Sequence, residues 1–185
     1  ILGFVRDMVL ARLFGATPAA DAFFVAYRVP NLLRELFAEG SMSAAFIPVF
    51  TEYHTLKAKR DAWELASATF TTLLTLVTAV TLIGILAAPG IVWFLAPGFR
   101  ESVDKLALTT LLTQLMFPYL IFISLAALAM GILNSLRDFA APAFSPVFFN
   151  IFTIACMLFL SPWLSEPIMA VAIGIVVGGV AQFAM

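Results

Sequence analysis

The chain has 185 residues, 63% of them hydrophobic and only 11% charged, with a formal net charge of −1. Soluble domains are roughly 45–50% apolar and about 25% charged, so a soluble protein is excluded and an integral membrane protein is indicated. The near-neutral charge gives no basis for nucleic-acid binding, and the lone Cys156 and lone His54 leave no disulfide framework and no metal site.

A bilayer core of about 30 Å takes about 20 helical residues per crossing. The apolar runs predict six spans in an all-α, polytopic helix bundle. The first is Ile1–Phe14 and the second is Ala19 to Tyr53, long and kinked. The third is Trp63–Ala88, ended by Pro89-Gly90. The fourth is Lys105–Leu136 with Pro118 inside it. The fifth is Ala143–Leu160, ended by Ser161-Pro162, and the sixth is Pro167–Met185. Ile1 is not a methionine and Met185 stands inside an apolar run, so the expectation is an excerpt whose first and last spans are truncated. Residues 1–185 read as one transmembrane unit, without a linker or usable repeat. Gly174 and Gly178 on the sixth span predict close helix packing.

Charge is concentrated early: 14 of the 21 charged residues fall in the first 64 positions. The second span is the polar one. It carries Asp21, Arg28, Arg34, Glu35, Glu39 and Glu52, together with Pro30, Gly40 and Pro48. Ionisable groups inside a membrane are costly unless they face a cavity or a partner. This stretch therefore reads as the lining of a transport cavity, with Pro30, Gly40 and Pro48 as hinges between short helical pieces.

Depth refines that reading. At 1.5 Å per residue, Arg6 lies about 13 Å from the Gly15 end of its helix, near the midplane, with Asp7 beside it. Arg28 is again about 13 Å deep and Arg34 about 22 Å. Asp21 falls at the outer edge and Glu39 at the inner one. Asp21, Arg28 and Glu35, seven apart, share a helical face. The arginines suit an anionic ligand, because guanidinium stays charged and binds phosphate or carboxylate oxygens in pairs. Asp21, Glu39 and Glu35 read as a charge network that gates the two ends. No Ser/His/Asp set, zinc spacing or phosphate-binding glycine loop occurs, so the expected activity is transport and not catalysis, with no cofactor.

The loops orient the chain. Lys57, Lys59 and Arg60 form the one dense basic cluster, which the positive-inside rule places in the cytoplasm. The N-terminus is then cytoplasmic, and Trp93 and Trp163 fall at outer boundaries.

LGFVRDMVLARLFGA (Leu2–Ala16) and DAFFVAYRVPNLLRELFAEGSMSAAFIPVF (Asp21–Phe50) resemble the opening of the MurJ (MviN) family of bacterial lipid II flippases, in the MOP exporter superfamily. APGF (Ala96–Phe99), FPYLIFISLAAL (Phe117–Leu128) and ILNSLRDFAAPAFSPVFFNI (Ile132–Ile151) follow in the same order. The resemblance implies a fourteen-span protein of two six-helix lobes about a central cavity, this chain being the N-terminal lobe. It implies alternating-access transfer of lipid II, the undecaprenyl-pyrophosphate-linked peptidoglycan precursor, across the bacterial inner membrane. Positions that match the family's functional residues are Arg6, Asp7, Asp21, Arg34 and Glu39. Position 35, often basic in relatives, is Glu35 here. The family's cation site lies in the other lobe, so any coupling cation would bind outside this chain. The partners implied are lipid II and membrane lipids. The alternative is another exporter of the superfamily, for drugs or for lipid-linked polysaccharide.

Overall fold

Helix-forming signals sit where the helices begin and end. The structure is a computed structural model that describes residues 1–37 and 45–185. Helix α1 (Leu2–Phe14) stops at Gly15, whose φ of 54° is in the left-handed region that glycine enters without steric cost. Thr17 then caps α2 (Pro18–Arg34), accepting from the Ala20 N–H at 3.3 Å, and Pro18 occupies the first turn, where its missing N–H matters least. Residues 35–37 continue α2 as a wider π-type turn. Helix α3 (Ile47–Leu56) follows, then α4 (Lys59–Leu95) and α5 (Val103–Met116), which Ser102 caps. The remaining helices are α6 (Tyr119–Ser135), α7 (Ala140–Leu160) and α8 (Met169–Ala184).

Three stretches are long and apolar enough to cross a membrane: Lys59–Leu95, Val103–Ser135 and Ala140–Trp163. Met169–Ala184 is a shorter apolar helix. On α4, Thr69, Thr71 and Thr75 each donate to the carbonyl four residues earlier, at 2.8–3.0 Å. Large apolar side chains such as Leu82, Ile83, Leu86 and Phe94 point outward from α4, as lipid-facing residues would.

Several predicted boundaries change. The third span does not end at Pro89-Gly90, because α4 runs on to Leu95 with Pro89 inside it. Proline leaves the carbonyl four residues earlier without its helix donor, and here Gln114 Nε2 on α5 donates to that carbonyl, Ile85 O, at 3.1 Å. The fourth span is two helices, with Phe117-Pro118 between α5 and α6. Of the three expected hinges, Pro30 is buried within α2 without ending it, and Pro48 lies in the first turn of α3, so it opens a helix. Gly40 lies outside the described residues.

Two apolar clusters hold the bundle. One gathers Phe14, Phe23, Met116, Tyr119, Phe149, Met157 and Ile175, tying α1 and α2 to α5 through α8. The other packs Phe46, Phe50, Ala66, Val77 and Leu128 between α3, α4 and α6. Helices α7 and α8 approach closely, as the Gly174/Gly178 spacing predicts. A Cβ on Gly178 would stand 2.8 Å from both Phe149 O and Thr153 Oγ1, and Thr153 Oγ1 lies 3.1 Å from Gly174 O as a donor.

Candidate functional site: a polar cavity among apolar helices

Positions 27, 31 and 34 are spaced i, i+4, i+7, so α2 presents Tyr27, Asn31 and Arg34 along one stripe. That stripe lines a cavity of about 670 Å³. Arg6 enters from α1, and Tyr119 and Asn134 from α6. Gln182 comes from α8, with Phe149, Pro142 and Pro146 from α7. A second cavity of about 560 Å³ lies on the other side of Arg6 and Tyr27, toward Gly15. It is lined by Asp7, Leu10, Phe23, Phe24, Thr153 and Ile175, among others. Arg6 and Tyr27 belong to both walls.

The two arginines are held by neighbours. Arg6 donates to Asp7 Oδ1 through Nε at 3.0 Å and Nη2 at 2.8 Å, and its guanidinium lies 5.8 Å from the Phe149 ring centre. Arg34 donates through Nε to Asn31 Oδ1 at 3.1 Å, and its Nη2 is 3.9 Å from Glu35 Oε1. Asn31 in turn donates to Glu35 at 3.1 Å. The Arg6 and Arg34 side chains are 29% and 23% exposed, so a ligand oxygen there meets less competition from water than on an open surface.

The other sequence-predicted residues lie elsewhere. Arg28 is exposed and lines neither cavity; Tyr27, one residue earlier, faces them instead. Asp21, Arg28 and Glu35 do share one exposed stripe of α2. Asp21 is paired at the end of α2 that begins after Thr17, accepting from Lys105 Nζ of α5 at 3.0 Å, while that ammonium also lies 4.0 Å from the Phe99 ring centre. Glu39 lies outside the described residues. Among the described residues no group of His, Cys, Asp and Glu gathers to hold a metal ion.

Sequence reasoning missed Tyr27, Asn31, Tyr119, Asn134 and Gln182, and Lys105 as the partner of Asp21. The signal for two of them was present. Asn134 and Gln182 are polar side chains in otherwise uncharged apolar runs. The tyrosines gave no such signal, since a phenol reads as core unless its neighbours are known.

The comparisons with known proteins agree along the whole chain. The family model described as "Lipid II flippase MurJ" matches residues 10–185. A probable lipid II flippase MurJ of Vibrio cholerae is 44% identical over 190 residues, covering 99% of this chain and 36% of the relative. The lipid II flippase MurJ of Burkholderia cenocepacia is 40% identical over 183 residues, with the same two coverages. A solved structure of lipid II flippase MurJ, in an inward closed conformation, superposes with a TM-score of 0.79 at 29% identity. It spans 99% of this chain and 38% of that one. The chain thus spans little more than a third of the length of the relatives it matches, and it belongs to the MurJ lipid II flippase family.

Proposed function

We propose that this chain forms the N-terminal lobe of a flippase that moves lipid II, the undecaprenyl-pyrophosphate-linked peptidoglycan precursor, across the bacterial cytoplasmic membrane. The observation that carries this reading is the polar cavity. In a lobe built almost entirely of apolar helices, Arg6 and Arg34 line one space with Tyr27, Asn31, Asn134 and Gln182. Two partly shielded guanidinium groups in one cavity suit the oxygens of a pyrophosphate, and the lipid tail would stay in the bilayer. Transfer proceeds by alternating access of this lobe against its partner lobe. On this reading Arg6, Asp7 and Arg34 handle the anion, and Asp21 and Glu39 close the outer and inner ends. Arg28 and Glu35 adjust the charge of the exposed stripe, and Pro30, Gly40 and Pro48 let the second span bend. The N-terminus is cytoplasmic, the protein does no covalent chemistry, and any coupling cation binds in the other lobe. A drug exporter for cations would favour carboxylates in the cavity, whereas the charged side chains lining this one are arginines.

The test is complementation of a strain depleted of its own flippase by the whole protein. Arg6→Ala and Arg34→Ala should each abolish growth while the protein still inserts in the membrane, and lysine at either position should rescue poorly. Normal growth with both alanine variants would refute the anion cradle.

A further inference from the structure

Two phenols stand in the same wall as the two arginines. Tyr27 and Tyr119 both line the larger cavity with Arg6 and Arg34, and Tyr27 also faces the second cavity beside Arg6. The rings are firmly placed. Tyr119 is 3% exposed and packs on Gly179, where a Cβ would stand only 2.8 Å from Tyr119 Cδ2. Its ring centre is 5.7 Å from that of Phe149, the ring that Arg6 also overlies, so Arg6 and Tyr119 are braced on one aromatic side chain. Tyr27 stacks on Phe23 at 5.9 Å with the planes 6° apart.

Phenylalanine at either position would fill the same space without a hydroxyl to satisfy in an apolar lobe. Each phenol carries one O–H donor that an acceptor in the cavity can use. A neutral donor there adds a hydrogen bond to a bound anion without adding a charge that the empty cavity would have to balance. Arg34 stands two turns, about 10 Å, along α2 from Tyr27, whereas Arg6 stands beside it in both cavity walls. The cavity wall thus holds both phenols together with both arginines.

We propose that Tyr27 and Tyr119 are positioning donors that complete the cradle between Arg6 and Arg34, and that they make the site selective for a diphosphate head group over a monophosphate. A diphosphate offers a phosphoryl group to each cationic end while its oxygens accept from the phenols; a monophosphate satisfies one end only. The inference rests on the cavity being the pyrophosphate site proposed above.

The experiment measures binding of two probes of equal chain length, a polyprenyl diphosphate and a polyprenyl monophosphate, to the purified whole protein. Tyr27→Phe and Tyr119→Phe should each weaken the diphosphate by roughly ten- to a hundredfold, the range for losing one hydrogen bond to a charged acceptor. The monophosphate should change by about twofold or less. A ring held for packing alone would not move that ratio. If both phenylalanine variants bind the diphosphate normally while Arg6→Ala and Arg34→Ala lose it, the phenol inference is overturned and the arginine site stands. Equal weakening of both probes overturns the selectivity. If all four variants bind normally, the cavity is not the anion site and the proposed function fails with it. Should Tyr119→Phe not fold, the half-buried Tyr27→Phe carries the same test.

Discussion

Gln114 offers a measurable link between sequence and fold. Pro89 lies inside α4 and cannot bond to the Ile85 carbonyl, and Gln114 Nε2 supplies the missing donor from α5 at 3.1 Å. Gln114→Leu keeps the bulk and removes the donor. Leaving a buried carbonyl open costs about 1–3 kcal/mol, and the upper part of that range is expected where lipid excludes water. For a folding unit of 150–250 residues each kcal/mol lowers Tm by about 2–4 °C, so a cost of about 2–3 kcal/mol is a loss of roughly 4–12 °C. Pro89→Ala restores the backbone N–H, so Gln114→Leu in that background should cost little. The coupling between the two sites should therefore be about 2–3 kcal/mol. Thermal unfolding of the whole protein in detergent, followed by tryptophan fluorescence, reads all four members of the cycle. Additive effects would mean that Gln114 does not substitute for the absent backbone donor.

Cysteines placed at Ala58 and Ser102, both exposed, should label from opposite faces of the membrane, and labelling of both from outside would overturn the predicted topology. Asp21→Asn and Lys105→Met should impair transport to a similar degree, with the double variant no worse than either, because the two side chains form one pair. Such a half-exposed pair adds only about 0.2–1 kcal/mol to stability, so both variants should remain folded, and a silent Lys105→Met would show that Asp21 works through another partner. Gly179→Ala puts a Cβ 2.8 Å from Tyr119 Cδ2. It should cost about 1–3 kcal/mol and lower transport by shifting the phenol, which normal transport together with an unchanged Tm would contradict.

Composition and the placement of charge made the membrane class, the helical architecture and the candidacy of Arg6 and Arg34 as cavity-lining residues legible before any coordinates. Those signals are local: a long apolar run must be helical in lipid because its backbone has no other partner, and a deep arginine must face something polar. The facing of α2 was not legible. Spacing alone groups Asp21 with Arg28 and Glu35, and groups Tyr27 with Asn31 and Arg34, without saying which stripe looks inward. That choice depends on the buried Ala22, Phe23, Ala26 and Pro30, which dock α2 on its neighbours.

The course of α4 past Pro89 shows the same division. Proline-glycine reads as a helix end because, within one segment, nothing replaces the lost hydrogen bond. A side chain 25 residues further on supplies it, and only the packing of α5 against α4 brings it there. The tyrosines are the remaining case, since their aromatic bodies satisfy an apolar core and a polar cavity equally well. The amino-acid sequence by itself determined that this is a largely apolar helical membrane protein with its charge concentrated early, because burial cost and helix periodicity act along the chain, while the likeness to the MurJ family rests on its motifs. Tertiary structure alone decided which polar groups meet in one cavity, because that depends on how each helix is rotated about its own axis by contacts between segments distant in sequence.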